Sequence, residues 1–234
     1  MSKDMSMTWV EYIKANGQVV RSKERVVMEF GLTIIINNEH LTTAMITPLM
    51  EEEFIVGHLF TQSIIQNVSD IKSINISNSL AEIKLFRMQN EAESLPMVNS
   101  DFKVSHNDIF QGVKAILKSS IFAETEAVHS AGLFRLGAEP VCIAEDIGRH
   151  NALDKIIGYG LLHNIDFGHT FVTSTGRQPS EMILKCCKAN IPVIATKGVP
   201  TTLAIDIAQT TGFTIVGMVR GTGMIIYSNP ARIE

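Results

Sequence analysis

The run Glu145-Asp146-Ile147-Gly148-Arg149-His150-Asn151-Ala152-Leu153-Asp154-Lys155 sets carboxylates, a glycine, a guanidinium, an imidazole and an amide side by side. It follows an apolar stretch, Val141 to Ala144, that reads as a buried strand, and it opens onto helical spacing. A strand that turns through glycine into a helix leaves N–H groups pointing outward at the positive end of the helix dipole. Such a turn is a place to hold an anion. Arg149 and His150 in that first turn work against the helix itself. A bound phosphate or a buried carboxylate would explain them.

Three further turns have the same character. Val172 leads into Thr173-Ser174-Thr175-Gly176-Arg177-Gln178, Ala195 leads into Thr196-Lys197-Gly198, and Met218-Val219-Arg220-Gly221-Thr222-Gly223 closes a later strand. Each joins a cation to glycine and small hydroxyl or amide residues. Arginine grips phosphate bidentately and glycine lets the backbone approach closely. In an open α/β sheet such turns share the carboxyl edge of the strands, where ligands bind. A phosphate-bearing ligand is the expectation. A structural alternative stands beside it: Arg149 could clamp Asp146 or Asp154, and Arg177 could clamp Glu181. None of the turns carries a Walker A or Rossmann fingerprint, so neither ATP hydrolysis nor hydride transfer is indicated.

His129 and His150 are the imidazoles best placed to donate to a ligand oxygen or to shuttle a proton, with capping or packing as the plainer alternative. Cys142, Cys186 and Cys187 are the 3 cysteines, and each falls among apolar neighbours in a strand or helix, as inert core thiols do. No CxxC pair or zinc-finger spacing is present. Glu51 to Glu53 read as a helix-start preference rather than a metal site.

The elements that must position these turns alternate. After a polar arm at 1–23, extended runs at Val26–Ile36 and Leu41–Ile46 flank Asn37-Asn38, a hairpin signal. Thr47-Pro48 reads as a cap and first helical position for an apolar stripe reaching about Ile65. Strands follow near Ile71–Ile76 and Leu80–Phe86, then a loop over Arg87–Asn107, then a helix from Ser105 to about Ser120. Strands near His129–Leu136 and Pro140–Ala144 precede a regular series: helix 149–163, strand 170–174, helix 179–189, strand 191–196, helix 200–210, and strands 213–220 and 224–228. This order predicts an α/β layer structure with a largely parallel sheet. The divisions read as an arm (1–23), a smaller α+β portion (24–106) and an α/β core (107–234).

The chain has 234 residues, 45% of them hydrophobic and 19% charged, with a formal net charge of -4, so a general nucleic-acid footprint is not expected. No apolar run reaches membrane-spanning length and the N-terminus lacks a secretory pattern, so a cytoplasmic protein with reduced thiols is the expectation.

On these residues the chain resembles the formate dehydrogenase accessory sulfurtransferase family, FdhD. The resemblance runs from about Glu24 to Ile233 and rests on ordered segments: Thr47-Pro48 through Gly57-His58-Leu59; His129-Ser130-Ala131; Gly148 to Lys155; Gly176-Arg177 with Ser180-Glu181 and Lys185; Pro200-Thr201-Thr202; and Arg220-Gly221. It implies a cytidine-deaminase-like three-layer α/β/α core with a smaller β-rich N-terminal portion, and homodimers. It implies a role with cysteine desulfurase and formate dehydrogenase: binding molybdenum bis(molybdopterin guanine dinucleotide), with GDP as a partial mimic, and taking part in its sulfuration as a sulfur carrier. The alternative is a cofactor or guanine-nucleotide chaperone without sulfur transfer; a different nucleotide enzyme using His129 or His150 ranks last.

The family's cofactor-binding segment corresponds to Met218–Gly223. The expected ligand set adds His129, Asp146, Gly148, Arg149, His150, Asn151, Gly176, Arg177 and Lys197. Three departures stand out. Gly223 replaces a late arginine, and Glu126-Ala127-Val128 replaces Thr-Gly-Gly. The loop where the family carries its CxxC cysteines, here about Met97–Asn107, has none; Ser100 and Ser105 cannot carry a persulfide. The deaminase zinc signature is also missing.

Overall fold

The computed structural model describes residues 6–15, 19–88 and 94–234. Residues 1–5 and 16–18 of the expected arm and residues 89–93 of the expected loop lie outside the described residues.

Two antiparallel strands open the chain, β1 (Met7–Ala15) and β2 (Val19–Val27). The expected polar arm is therefore a β-ribbon for most of its length. Its root is fixed because Met7 and Val27 pack against Ile121, Val128 and Leu49. A four-stranded sheet follows in the order β4-β3-β6-β5, from β3 (Phe30–Ile36), β4 (Glu39–Ile46), β5 (Ile71–Ser77) and β6 (Leu80–Leu85). Asn37 and Asn38 both adopt left-handed backbone (φ 50 and 72), which is the twist a tight hairpin requires.

Helix α1 (Glu51–Thr61) starts later than the sequence suggests. Met50, in left-handed backbone, precedes it, and Thr47 does not cap it. Thr47 is fully buried and tied elsewhere: its N–H donates to Asp146 Oδ2 (3.0 Å) and its Oγ1 accepts from Ile147 N–H (3.2 Å). The helix expected from Ser105 to about Ser120 ends early, as α2 (His106–Ile116), because Ser119 turns to extended backbone and donates its hydroxyl to the Ile116 carbonyl (2.7 Å); an unexpected short helix, α3 (Ser120–Thr125), follows.

The main sheet has six strands in the order β12-β11-β10-β9-β7-β8: β7 (His129–Phe134), β8 (Pro140–Asp146), β9 (Phe171–Ser174), β10 (Val193–Thr196), β11 (Thr214–Arg220) and β12 (Gly223–Ile226). It is mixed rather than largely parallel. β9, β10 and β11 are parallel, while β7 opposes β8 and β9, and β12 opposes β11. The connections β7–β8 and β11–β12 are too short for a crossover, so they close as hairpins. By the same pairings β8 runs with β9, β10 and β11.

Side chains alternate across this sheet. Phe171, Val193, Ala195 and Val216 meet α2, whereas Val172, Ile194 and Ile215 meet the layer of α4 (Arg149–Leu162), α5 (Ser180–Lys188) and α6 (Thr202–Thr211). Both faces are covered, which gives the α/β/α core that the resemblance implied. The two portions read from the sequence share one apolar core. Leu32, Ile34 and Ile83 of the small sheet, Phe54 and Leu59 of α1, and Leu153 and Ile157 of α4 form one buried cluster. α1 and α4 cross backbone to backbone: a Cβ placed on Gly57 would lie 1.9 Å from the Asp154 carbonyl oxygen.

Candidate functional site

Because β8, β9, β10 and β11 point the same way, their last residues, Asp146, Ser174, Thr196 and Arg220, end at one edge of the sheet. The turns that leave β9, β10 and β11 are hydrogen-bonded to one another. Thr196 Oγ1 and Gln178 Nε2 donate to the Gly176 carbonyl (2.6 and 2.9 Å). Lys197 N–H donates to the Ser174 carbonyl (3.3 Å), and Met218 N–H to that of Gly198 (2.8 Å). Arg220 reaches the Lys197 carbonyl at 3.4 Å. Gly176 packs closely on both side chains: a Cβ there would sit 3.0 Å from Arg149 Cδ and 3.3 Å from His129 Nδ1. The structure thus brings Arg149, His129, Gly176, Arg177, Lys197 and Arg220 onto one rim.

The rim is electropositive and under-satisfied. Arg177, Lys197 and Arg220 are exposed, and Arg149 is half-buried. Among the described residues no carboxylate pairs with any of them. The Arg149 Nε, Ser130 Oγ and Gln178 Oε1 atoms are buried without a protein partner. Helix α4 begins at Gly148 without a side-chain cap, and its first internal bond is Ala152 N–H to the Gly148 carbonyl. The N–H groups of Arg149, His150 and Asn151 therefore stay open at the positive helix end. Thr175 Oγ1 accepts from Ser130 N–H (3.1 Å) and faces His129 Nδ1 (3.3 Å). Burial first, then the guanidinium of Arg149, lowers the His129 pKa below 6.5.

Other expected ligand residues build the scaffold instead. Asp146 is fully buried and ion-paired to Lys155 at 2.7 Å. Its Oδ1 accepts from Gly148 N–H (2.9 Å) and from Asn151 Nδ2 (2.8 Å), and Asn151 also donates to the Met45 carbonyl (2.8 Å). Glu145 accepts from the Ile121 and Phe122 N–H groups at the start of α3 (2.9 and 2.7 Å). These bonds shape the turn that presents Arg149. The arginine clamps considered from the sequence are absent among the described residues. Lysine takes their place at Asp146 and at Asp154, which meets Lys185 Nζ at 2.5 Å, and Glu181 faces His150 (3.7 Å).

His150 lines a second cleft of about 340 Å³ between α1, α4 and α5, with His58, Thr61, Asp154 and Lys185. Asp154 there accepts from Thr61 Oγ1 at 2.9 Å and faces His58 Nδ1 at 3.4 Å. This cluster escaped the sequence reading because its members come from three helices, and no local spacing links them.

At the other end of the rim, β11 bulges. Met218 takes left-handed backbone (φ 52), a strained state for a residue other than glycine, while Gly221 (φ 56) makes the turn without strain. Val219 is buried, and Thr222 and Gly223 are exposed. Lys197, Val219, Arg220 and Gly221 meet Phe110 and Lys114 of α2 and Leu117 just after it around a cavity of about 570 Å³. The apolar wall with three cations at its mouth suits a flat ring carrying phosphates.

The loop segment contains no thiol. Met97 is exposed, Ser100 Oγ donates to the Gly168 carbonyl (2.6 Å), and Ser105 caps α2 through Asp108 N–H (3.0 Å). The three cysteines are free and buried. Burial raises Cys142 to about 12 and Cys187 to about 11, and pushes Cys186 well up. Among the described residues no group of three or more His, Cys, Asp or Glu could hold a metal ion, and no helix is long and apolar enough to cross a membrane.

Known proteins carry this architecture. Residues 27–94 and 82–234 match the model of the FdhD/NarQ family. The chain is 32% identical to a sulfur carrier protein FdhD of Geobacillus kaustophilus over 93% of each chain. It is also 32% identical to one of Methanothermobacter thermautotrophicus, covering 96% of this chain and 97% of the relative. A crystal structure from Desulfotalea psychrophila, described as a formate dehydrogenase accessory protein, superposes with a TM-score of 0.86 at 28% identity, covering 97% of this chain and 99% of that one. By both sequence and fold, the chain belongs to the FdhD/NarQ family.

Proposed function

We propose that the protein is an accessory factor in formate dehydrogenase maturation that binds molybdenum bis(molybdopterin guanine dinucleotide) by its phosphates and takes part in its sulfuration without carrying the sulfur on its own thiols. The observation that carries this reading is the shared rim: four cation-bearing turns, an uncapped helix start and buried polar atoms without protein partners meet along one sheet edge.

The residues present fit that cargo. Arg149, Arg177 and the α4 N–H groups would take one phosphate, Lys197 and Arg220 another, and the cavity against Phe110 a base. The cofactor brings the metal and dithiolene chemistry; the chain binds, orients and shields it. His129, with its lowered pKa, is a neutral donor or acceptor at the rim near pH 7. The proposal includes a cytoplasmic homodimer working with a cysteine desulfurase and with formate dehydrogenase.

One observation favours a second reading, a cofactor or guanine-nucleotide chaperone outside sulfur transfer. Every thiol is buried and held protonated, and a persulfide carrier needs an exposed thiolate.

Calorimetric titration with GDP tests the site. Arg177→Gln should weaken binding by about 10- to 100-fold, the worth of a lost charge-assisted contact. Equal affinity in wild type, Arg177→Gln and Arg220→Ala would remove the rim as the site. Incubation with a cysteine desulfurase and cysteine, followed by intact mass measurement, separates the two readings. No added sulfur on this chain, together with faster sulfuration of the bound cofactor, supports the first reading; no effect on sulfuration supports the second.

A further inference from the structure

The β1–β2 ribbon pairs nine residues of each strand, which makes it about 30 Å long. Beyond its root it is bare. Trp9, Ile13 and Val19 are 67, 64 and 75% exposed, and Val10, Val20 and Val26 on the opposite face are exposed as well. An isolated two-stranded ribbon is marginal in water, and this one shows apolar side chains on both faces. Register places Trp9, Glu11 and Ile13 on one face with Arg25, Lys23 and Arg21 opposite them. That face is apolar, and two of its cations pair within the chain, Lys23 with Glu11 (3.2 Å) and Arg25 with Glu124 of α3 (3.4 Å), while exposed Arg21 sits opposite Ile13. The two strands together hold four cations, Lys14, Arg21, Lys23 and Arg25, against Glu11 and Glu24.

The complementary surface lies on the same molecule. A groove of about 510 Å³ runs between β5 and β8, the outer strands of the two larger sheets. Its apolar floor includes Leu49, Ile76 and Ile143, and its acidic wall is Glu51, Glu52 and Glu53. Leu49 belongs to both features, since the ribbon root packs on it and the groove begins at it.

We propose that the ribbon is an exchange arm, whose Trp9–Ile13 face seats in the acidic groove between β5 and β8 of a second copy. Charge and apolarity match on the two sides. Reciprocal seating doubles every contact. This deepens the homodimer part of the reading above and assigns its surface. It does not depend on cofactor binding.

Sedimentation equilibrium on the full chain tests it, with GDP titration of the same samples to keep the two readings apart. Wild type should be a dimer. The Trp9→Glu/Ile13→Glu pair should raise the dimer dissociation constant on the order of a hundredfold, as loss of a central aromatic anchor does. Circular dichroism and GDP affinity should stay unchanged. Arg21→Glu should weaken the dimer about tenfold, and adding Glu52→Lys should restore it. A monomeric wild type, or a dimer indifferent to Trp9→Glu/Ile13→Glu, overturns the arm. Failure of Glu52→Lys to restore Arg21→Glu overturns the groove. Loss of GDP binding with the dimer intact would count against the cofactor reading alone.

Discussion

Asp146 and Lys155 meet at 2.7 Å with neither side chain touching solvent. Lys155 also donates to the carbonyls of Thr47 (3.0 Å) and Glu145 (3.1 Å), so one ammonium ties the small portion to the end of β8. Burial lowers the lysine pKa and the adjacent carboxylate opposes that shift. Replacing Lys155 by Met leaves Asp146 charged, buried and short of a partner. The expected loss is about 3–5 kcal/mol. Urea unfolding monitored by circular dichroism measures it; a loss below about 1 kcal/mol, the scale of an exposed pair, would contradict the clamp.

The α1–α4 crossing makes a second prediction. A Cβ on Gly158 would lie 1.8 Å from the Glu53 carbonyl oxygen, which is backbone and cannot swing aside. Gly158→Ala must push the helices apart. It should destabilise by about 3 kcal/mol or more, beyond the usual cost of overpacking, although alanine is the better helix former. A stabilised Gly158→Ala variant in thermal melts would show that the helices cross elsewhere.

Acid should weaken the fold through the two site histidines. Burial, with the neighbouring cations, lowers both His129 and His150 below 6.5. In that window the unfolded chain binds more protons than the folded one. The stabilisation from the neutral rings is therefore complete above pH 6.5 and is lost as pH falls through each lowered value. The urea midpoint should drop on acidification, and less steeply in a His129→Gln/His150→Gln variant. Parallel pH profiles for the two proteins would exclude these rings as the cause.

Thiol reactivity is the fourth expectation. With Cys142 near 12 and Cys187 near 11, and all three thiols buried, native protein should resist alkylation by iodoacetamide at neutral pH. Unfolding in urea should expose 3 alkylation sites. Rapid labelling of any cysteine in the native state would reopen this chain as a sulfur carrier.

The sequence alone determined the local elements and the character of the turns. Period-2 and period-3.6 patterns placed most strands and helices, because those patterns report which face is buried. Glycine beside a cation at each strand end marked the rim, because close approach and charge are properties of residue type. Partnership was decided only by the tertiary structure. Asp146, Asn151 and Lys155 look alike in a string, yet the packing of Thr47 and Met45 against the end of β8 makes them scaffold. Met50 rather than Thr47 opens α1 for the same reason. The His58–Asp154–Lys185 cluster and the groove between β5 and β8 join residues from distant elements. A chain's periodicity fixes faces; which faces meet depends on the long-range packing of α1, α4 and the two sheets.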